Sequence, residues 1–191
     1  MLRCAITDGQ YLAGGAGRWT KARVDFIQLR AKTLEAGALA HLGRSILHEI
    51  AATKDARTRL LINGRADVAV AIGAAGVHLT AHEDELTPEQ VRALYDHAGL
   101  AAPIVSVSCH TLEEVTRARD NKADLILFGP VFEKRIDGQV VTHGVGLSVL
   151  ADACKLAKPV PVLALGGVTR QNADDCIAAG AAGIAGIRMF A

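Results

Sequence analysis

Short aliphatic runs alternate along this chain with stretches whose apolar residues fall three or four apart. The runs are Arg3–Thr7, Phe26–Leu29, Leu60–Ile62, Val77–Leu79, Ile104–Val107, Leu125–Phe128, Val162–Leu165 and Ile184–Ile187. Each suits a strand and is too short for a helix. Most are continuously apolar, as expected of parallel strands buried on both faces. The intervening stretches carry helical signals. From Leu34 to Ala52, Leu39, Leu42, Ile46, Leu47 and Ile50 share one face. Thr87-Pro88-Glu89-Gln90 combines a capping threonine, a proline at the first helical position and a glutamine three residues after the cap. Thr111-Leu112-Glu113-Glu114 forms a second capping box, opening a segment that runs to Asn121. Strands alternating with helices predict an α/β fold with a parallel sheet. Eight strand-like runs in 191 residues favour a compact (β/α)8 TIM barrel over an open doubly wound sheet, the alternative architecture.

No linker or low-complexity tract divides the chain, so residues 1–191 are read as a single TIM-barrel domain. After the eighth run only Arg188-Met189-Phe190-Ala191 remain, so the last helix is expected to be short or missing. That would leave apolar surface between strands eight and one uncovered, and a second copy is expected to cover it in a homo-oligomer, a dimer.

Composition narrows the function. Hydrophobic residues make up 50% of the chain and aromatics 4%, so the core is built from small aliphatics. Net charge is +1 with no basic patch, which argues against nucleic acid as a partner. The longest uncharged apolar stretch, Val68–Val77, falls far short of the roughly 20 residues that span a bilayer. No signal peptide precedes the first strand, and a cytoplasmic location away from the membrane is expected. Cys4, Cys109, Cys154 and Cys176 lack metal-ligand spacing and read as reduced thiols; no metal ligands are assigned.

Two runs end in glycine: Val162-Leu163-Ala164-Leu165-Gly166-Gly167 and Gly183-Ile184-Ala185-Gly186-Ile187. The stretch between them, Thr169–Ala179, reads as one helix. Strands ending in glycine expose main-chain N–H groups, and two such ends side by side can cradle a phosphate. In a TIM barrel the loops after strands seven and eight often do so. A small phosphorylated ligand on Gly166, Gly167, Gly186 and Ile187 is therefore expected; the bland alternative is a tight turn.

Several strand ends resemble the thiamin phosphate synthase/TenI superfamily. They are Gln28-Leu29-Arg30-Ala31-Lys32, Ile62-Asn63-Gly64-Arg65, Gly76-Val77-His78-Leu79, Val107-Ser108-Cys109-His110-Thr111, and Phe128-Gly129-Pro130-Val131-Phe132, followed by Gly166-Gly167. The resemblance covers nearly the whole chain and implies a (β/α)8 barrel acting in thiamine biosynthesis. Departures matter too. The synthases place an Mg²⁺-binding aspartate where Gly64 stands, and a second carboxylate near Glu83 or Asp84. They place Thr-x-Thr-Lys where Glu133-Lys134-Arg135-Ile136-Asp137 stands, and a serine where Arg188 stands. The TenI-like thiazole tautomerases, which need no metal, carry a histidine where Pro130 stands. On balance the sequence favours a TenI-like enzyme moving protons on a thiazole phosphate without a cofactor. The alternatives are a thiamin phosphate synthase, which implies Mg²⁺ and joins a pyrimidine diphosphate to that thiazole, and a non-catalytic binding or regulatory homologue.

Candidate residues follow. His143, in the loop 134–146 after strand six, overhangs the expected mouth and is the first choice of acid–base group; the bland reading is a solvated loop histidine. His110 follows strand five and either faces the mouth or stands beside the capping Thr111. His78 lies inside a strand and reads as a satisfied core histidine. Lys32 and Arg30, just past strand two, suit an anionic ligand or a leaving group, or form surface salt bridges. Gln28 joins the substrate-binding set through the resemblance. Asn63 either reads a ring or makes a turn. Ser108 either meets substrate or serves helix entry, and Arg188 either faces a phosphate or points outward.

Overall fold

The computed structural model describes residues 1–7, 17–54, 57–82, 84–136 and 139–190. In chain order the strands are β1 (Leu2–Thr7), β2 (Phe26–Leu29), β3 (Arg59–Asn63), β4 (Gly76–Leu79), β5 (Ile104–Cys109), β6 (Leu125–Phe128), β7 (Lys134–Ile136), β8 (Gln139–Thr142), β9 (Val162–Ala164) and β10 (Gly183–Gly186). Eight of them close into a barrel in the order β1-β10-β9-β6-β5-β4-β3-β2, every pairing parallel. The helices among the described residues are α1 (Gly17–Lys21), α2 (Ala36–Ala52), α3 (Ala66–Ile72), α4 (Pro88–His97), α5 (Leu112–Asp120), α6 (Gly146–Leu156) and α7 (Ala173–Ala178). This is the (β/α)8 barrel the pattern predicts, with all eight runs in place.

Both capping boxes form. Thr87 Oγ1 accepts from Gln90 N while Gln90 returns a bond to Thr87 N, and Thr111 and Glu114 do the same for α5. Two expectations are corrected. The stretch Thr169–Ala179 is helical only over Ala173–Ala178. Asn172 Oδ1 accepts from Thr169 N at 2.7 Å and its Nδ2 donates to Gly167 O, holding a turn that competes with the first helical turn. The loop after β6 contains the antiparallel hairpin β7–β8, for which the β-branched run Val140-Val141-Thr142 is the sequence signal.

Alternation along the strands divides the side chains into two layers. Ile27, Leu29, Leu60, Ile62, Val77, Leu79, Val105 and Val107 point outward and are buried beneath the helices. Inside the barrel, Cys4, Ile6, Leu125, Leu127, Leu163 and Ala185 form a separate apolar cluster on the β1, β6, β9 and β10 side. The inward positions of β2–β5 are mixed: Phe26 and Leu61 are apolar, but Gln28, Asn63, His78, Ser106 and Ser108 are polar. The β1, β6, β9 and β10 side of the barrel is thus hydrocarbon, whereas the β2–β5 side gathers the hydrogen-bonding groups. Outside β1 and β10 lies a groove of about 610 Å³ bordered by Arg3, Arg18, Ala22, Ile184, Met189 and Phe190.

Burial also settles the thiols. Cys4 and Cys109 are enclosed and desolvation pushes both up to about 12, so they stay protonated and inert. Two strand glycines are sterically required within the barrel wall: a Cβ on Gly76 would collide with the Ile104 carbonyl of the neighbouring strand, and one on Gly183 with the Leu2 carbonyl. Gly76→Ala is therefore expected to destabilise the fold by about 1–3 kcal/mol. Urea unfolding measures this, and an unchanged midpoint would contradict so close an approach of β4 to β5.

Candidate active site

Parallel closure brings the C-terminal ends of all eight strands to one rim, where barrel sites are built. On the polar side, Gln28 of β2 is buried and its Nε2 donates to Asn63 Oδ1 of β3 at 2.8 Å. That bond leaves Gln28 Oε1 buried without a hydrogen-bond partner among the described residues. An acceptor held this way costs free energy until a donor arrives. Next to it, His78 of β4 is 3% exposed and sits between two hydroxyls of β5. Its Nδ1 is 2.8 Å from Ser106 Oγ and its Nε2 2.8 Å from Ser108 Oγ. The β4–β5 register, with His78 opposite Ser106, produces this arrangement. Burial, assisted by the charge of Arg30, pushes His78 down to about 3, so the ring is neutral at ordinary pH. Ser106 is fully buried, whereas Ser108 is half-buried, one step nearer the rim.

The opposite side of the rim is made of main chain. Gly166 and Gly167 follow β9 with φ of 88° and 65°. A Cβ on Gly166 would fall 2.5 Å from Pro130 Cα, and one on Gly167 would fall 2.7 Å from Phe132 Cβ. The loop after β6 packs on this turn, with Val131 N donating to Leu165 O and Phe132 N to Gly166 O. The glycines thus serve a close approach between loops as well as a turn. Their own amides are left over. Among the described residues, the N–H groups of Gly166, Gly167, Val168, Ile187 and Arg188 donate no hydrogen bond. Gly186 is the last residue of β10 in register with β1. Because β9 and β10 are adjacent and parallel, these free amides stand at the same end of the barrel.

The other predicted residues fall in varied places. Arg30 is half-buried directly after β2, while Lys32 is exposed two residues on; neither makes an ion pair among the described residues. His110 is exposed but tethered: its main-chain N donates to Glu114 Oε2 and its Nδ1 donates to the Gly129 carbonyl. That tie fixes the proton on Nδ1 and leaves Nε2 as the basic nitrogen. His143, at the end of the β7–β8 hairpin, is exposed and makes no hydrogen bond among the described residues, so nothing fixes its ring at the mouth. Arg188 is exposed at the end of β10. His78 is buried and satisfied as read from the sequence, yet one of its partners, Ser108, reaches the rim. The contribution of Ser106 was missed, although serines at alternate positions of an aliphatic strand, Ile104-Val105-Ser106-Val107-Ser108, place both hydroxyls on one face.

A protein-held Mg²⁺ does not fit the described donors. Gly64, with φ of 64°, stands where the resemblance calls for a carboxylate. Asp67 is taken by Arg65 at 2.6 Å, and Glu85 caps Leu86 N and accepts from Thr80. No group of three metal-ligating side chains occurs among the described residues. Glu83 lies outside them, and Asp84 is exposed.

The neutrality of His78 has a measurable consequence. The unfolded chain takes up a proton on this ring below about pH 6.5, while the folded chain does not until about 3. His78 therefore contributes nothing to the pH dependence of stability above pH 7, and costs stability as the pH falls from 6.5 towards 3. In His78→Asn the slope of stability against pH between 4 and 6 should be shallower than in the unsubstituted protein, by up to about 1.4 kcal/mol per pH unit. Urea titrations across that range test it; parallel slopes would show that His78 is accessible to protons when folded.

Comparison with known proteins bears on this geometry. The family model described as thiamine monophosphate synthase matches residues 4–190. A thiamine-phosphate synthase of Methanoregula boonei is 36% identical over 94% of this chain and 81% of its own length. One of Neisseria gonorrhoeae is 35% identical over 92% of this chain and 81% of its own. The solved structure of thiamine phosphate pyrophosphorylase from Pyrococcus furiosus superposes with a TM-score of 0.79 at 25% identity, covering 100% of this chain and 88% of that one. With the barrel, the strand-end motifs and these relatives in agreement, the chain belongs to the thiamine monophosphate synthase family.

Proposed function

We propose that this protein is a thiamine-phosphate synthase, a transferase that joins a hydroxymethylpyrimidine diphosphate to a thiazole phosphate. The observation that carries this reading is the set of relatives named thiamine-phosphate synthase, more than a third identical over more than nine-tenths of the chain. They favour the synthase over the TenI-like tautomerase that the sequence placed first.

Each half of the rim then has a task. The unpartnered Gln28 Oε1 accepts a hydrogen bond from an amino-substituted pyrimidine, and Asn63 keeps its amide NH₂ for the same ring. The free amides after β9 and β10, with Arg188 beside them, seat the thiazole phosphate. Arg30 and Lys32 face the diphosphate as it departs with the bonding electron pair, while the thiazole nitrogen forms the new bond to the pyrimidine methylene carbon. Mg²⁺ accompanies this chemistry in the family the chain resembles; the described residues supply no complete site for it. Cytoplasmic location is carried as part of the same proposal. Among the described residues no helix is long and apolar enough to cross a membrane.

The test is turnover of the two precursors with Mg²⁺ present. The unsubstituted protein should form thiamine phosphate, and Arg30→Ala should lower kcat/KM by on the order of 10²-fold. Gln28→Ala should lower it by about tenfold through a lost hydrogen bond. Absence of product with metal present would refute the synthase reading. Metal-free aromatisation of a carboxythiazole phosphate would restore the tautomerase, and thiazole phosphate binding without either turnover would indicate a binding protein.

A further inference from the structure

The three side chains Ser106, His78 and Ser108 form a chain of hydrogen bonds that begins in the barrel interior and ends at the rim. Two proton arrangements satisfy the distances. In one, Ser106 donates to Nδ1, the ring carries its proton on Nε2 and donates to Ser108 Oγ, and the Ser108 proton is left over. In the other, Nδ1–H donates to Ser106 and Ser108 spends its own proton on Nε2.

Burial separates the two. Ser106 is 0% exposed, and the only hydrogen-bond partner of its hydroxyl among the described residues is His78. In the second arrangement its hydroxyl proton would point at nothing, and a buried donor without an acceptor carries the full penalty of its desolvation. In the first arrangement every buried polar atom of the three is used. The leftover proton belongs to Ser108, which is half-buried and whose hydroxyl has no hydrogen-bond partner but His78 among the described residues. The neutral ring has a single proton to place, so the choice made at Ser106 is passed to Ser108.

We propose that Ser106 is a positioning residue: by donating to Nδ1 of His78 it commits the ring to the Nε2-protonated form, and it thereby presents the Ser108 hydroxyl proton to the barrel mouth as a donor for an anionic oxygen of the substrate. The last step rests on the synthase reading above; the first two rest on the hydrogen bonds alone. Ser106 touches no substrate in this scheme. Its effect is to decide whether Ser108 meets the diphosphate as a donor or is turned away from it.

The experiment is nitrogen-15 NMR of histidine-labelled protein, with the His78 signals assigned by their loss in His78→Asn. In the unsubstituted protein Nε2 should carry the proton and Nδ1 should not, unchanged between pH 6 and 8. Ser106→Ala should show both tautomers, and Ser106→Thr, which keeps the hydroxyl, should restore the single Nε2-protonated form. Inorganic pyrophosphate should draw the Ser106→Ala mixture back to the Nε2-protonated form, because a ligand shifts an equilibrium towards the state it binds better. A proton on Nδ1 in the unsubstituted protein, or a single unchanged tautomer in Ser106→Ala, overturns the role of Ser106. A mixture that saturating pyrophosphate does not move overturns the presentation of Ser108 to an anion. None of these readouts requires turnover, so Nε2 protonation together with a failed synthase assay would remove the functional reading and leave the positioning role standing.

Discussion

Polar side chains enclosed in a parallel barrel must satisfy one another, and that constraint organises the rim of this protein. Gln28 reaches Asn63, and Ser106 reaches Ser108 through His78, because the β2–β5 registers place these residues side by side with hydrocarbon behind them. A buried donor or acceptor left alone costs about 1–3 kcal/mol, enough to choose between rotamers and tautomers. Gln28 Oε1 stays without a hydrogen-bond partner among the described residues, as does Thr7 Oγ1 at the end of β1, and the hydroxyl of Ser108 is half-buried beside His78. Across the rim the solution is different: the β9 and β10 ends offer bare amides, and side chains are kept away by glycines that the β6 loop would otherwise strike. In the proposed synthase, one wall takes the heterocycle and its leaving group and the other a phosphate.

Much of this was legible in the sequence. Continuous aliphatic runs gave all eight barrel strands, and the two capping boxes at Thr87 and Thr111 gave the starts of α4 and α5, because both signals are local. The stretch beginning at Thr169 misled for a local reason as well, since the Asn172 side chain closes a turn that helical periodicity does not reveal. The hairpin β7–β8 was hidden by the expectation of a loop. What the sequence could not show was partnership across strands. His78 as a satisfied core histidine was a correct reading of burial, but which hydroxyls satisfy it depends on the β4–β5 register. His143 lies exposed at the end of the β7–β8 hairpin, while His78 is held on both ring nitrogens.

The departures from the family pattern acquire physical meaning in the fold. Gly64, where the resemblance calls for a carboxylate, occupies a left-handed position that suits glycine, with open space around it. Arg30 and Lys32 follow β2 as cations, and Arg188 adds an exposed charge directly after β10. Positive charge at the mouth is thus supplied by side chains on the strand ends, with fewer acidic groups to hold a metal.

The central claim is that the free amides after β9 and β10 form the anion seat of the pocket. Its most direct test is a ¹H–¹⁵N titration of the labelled protein with inorganic phosphate. Saturable shifts should be concentrated at Gly166, Gly167, Val168, Ile187 and Arg188. Shifts confined to the opposite end of the barrel, around the exposed cations Lys21, Arg23, Lys54 and Arg57, would contradict the account.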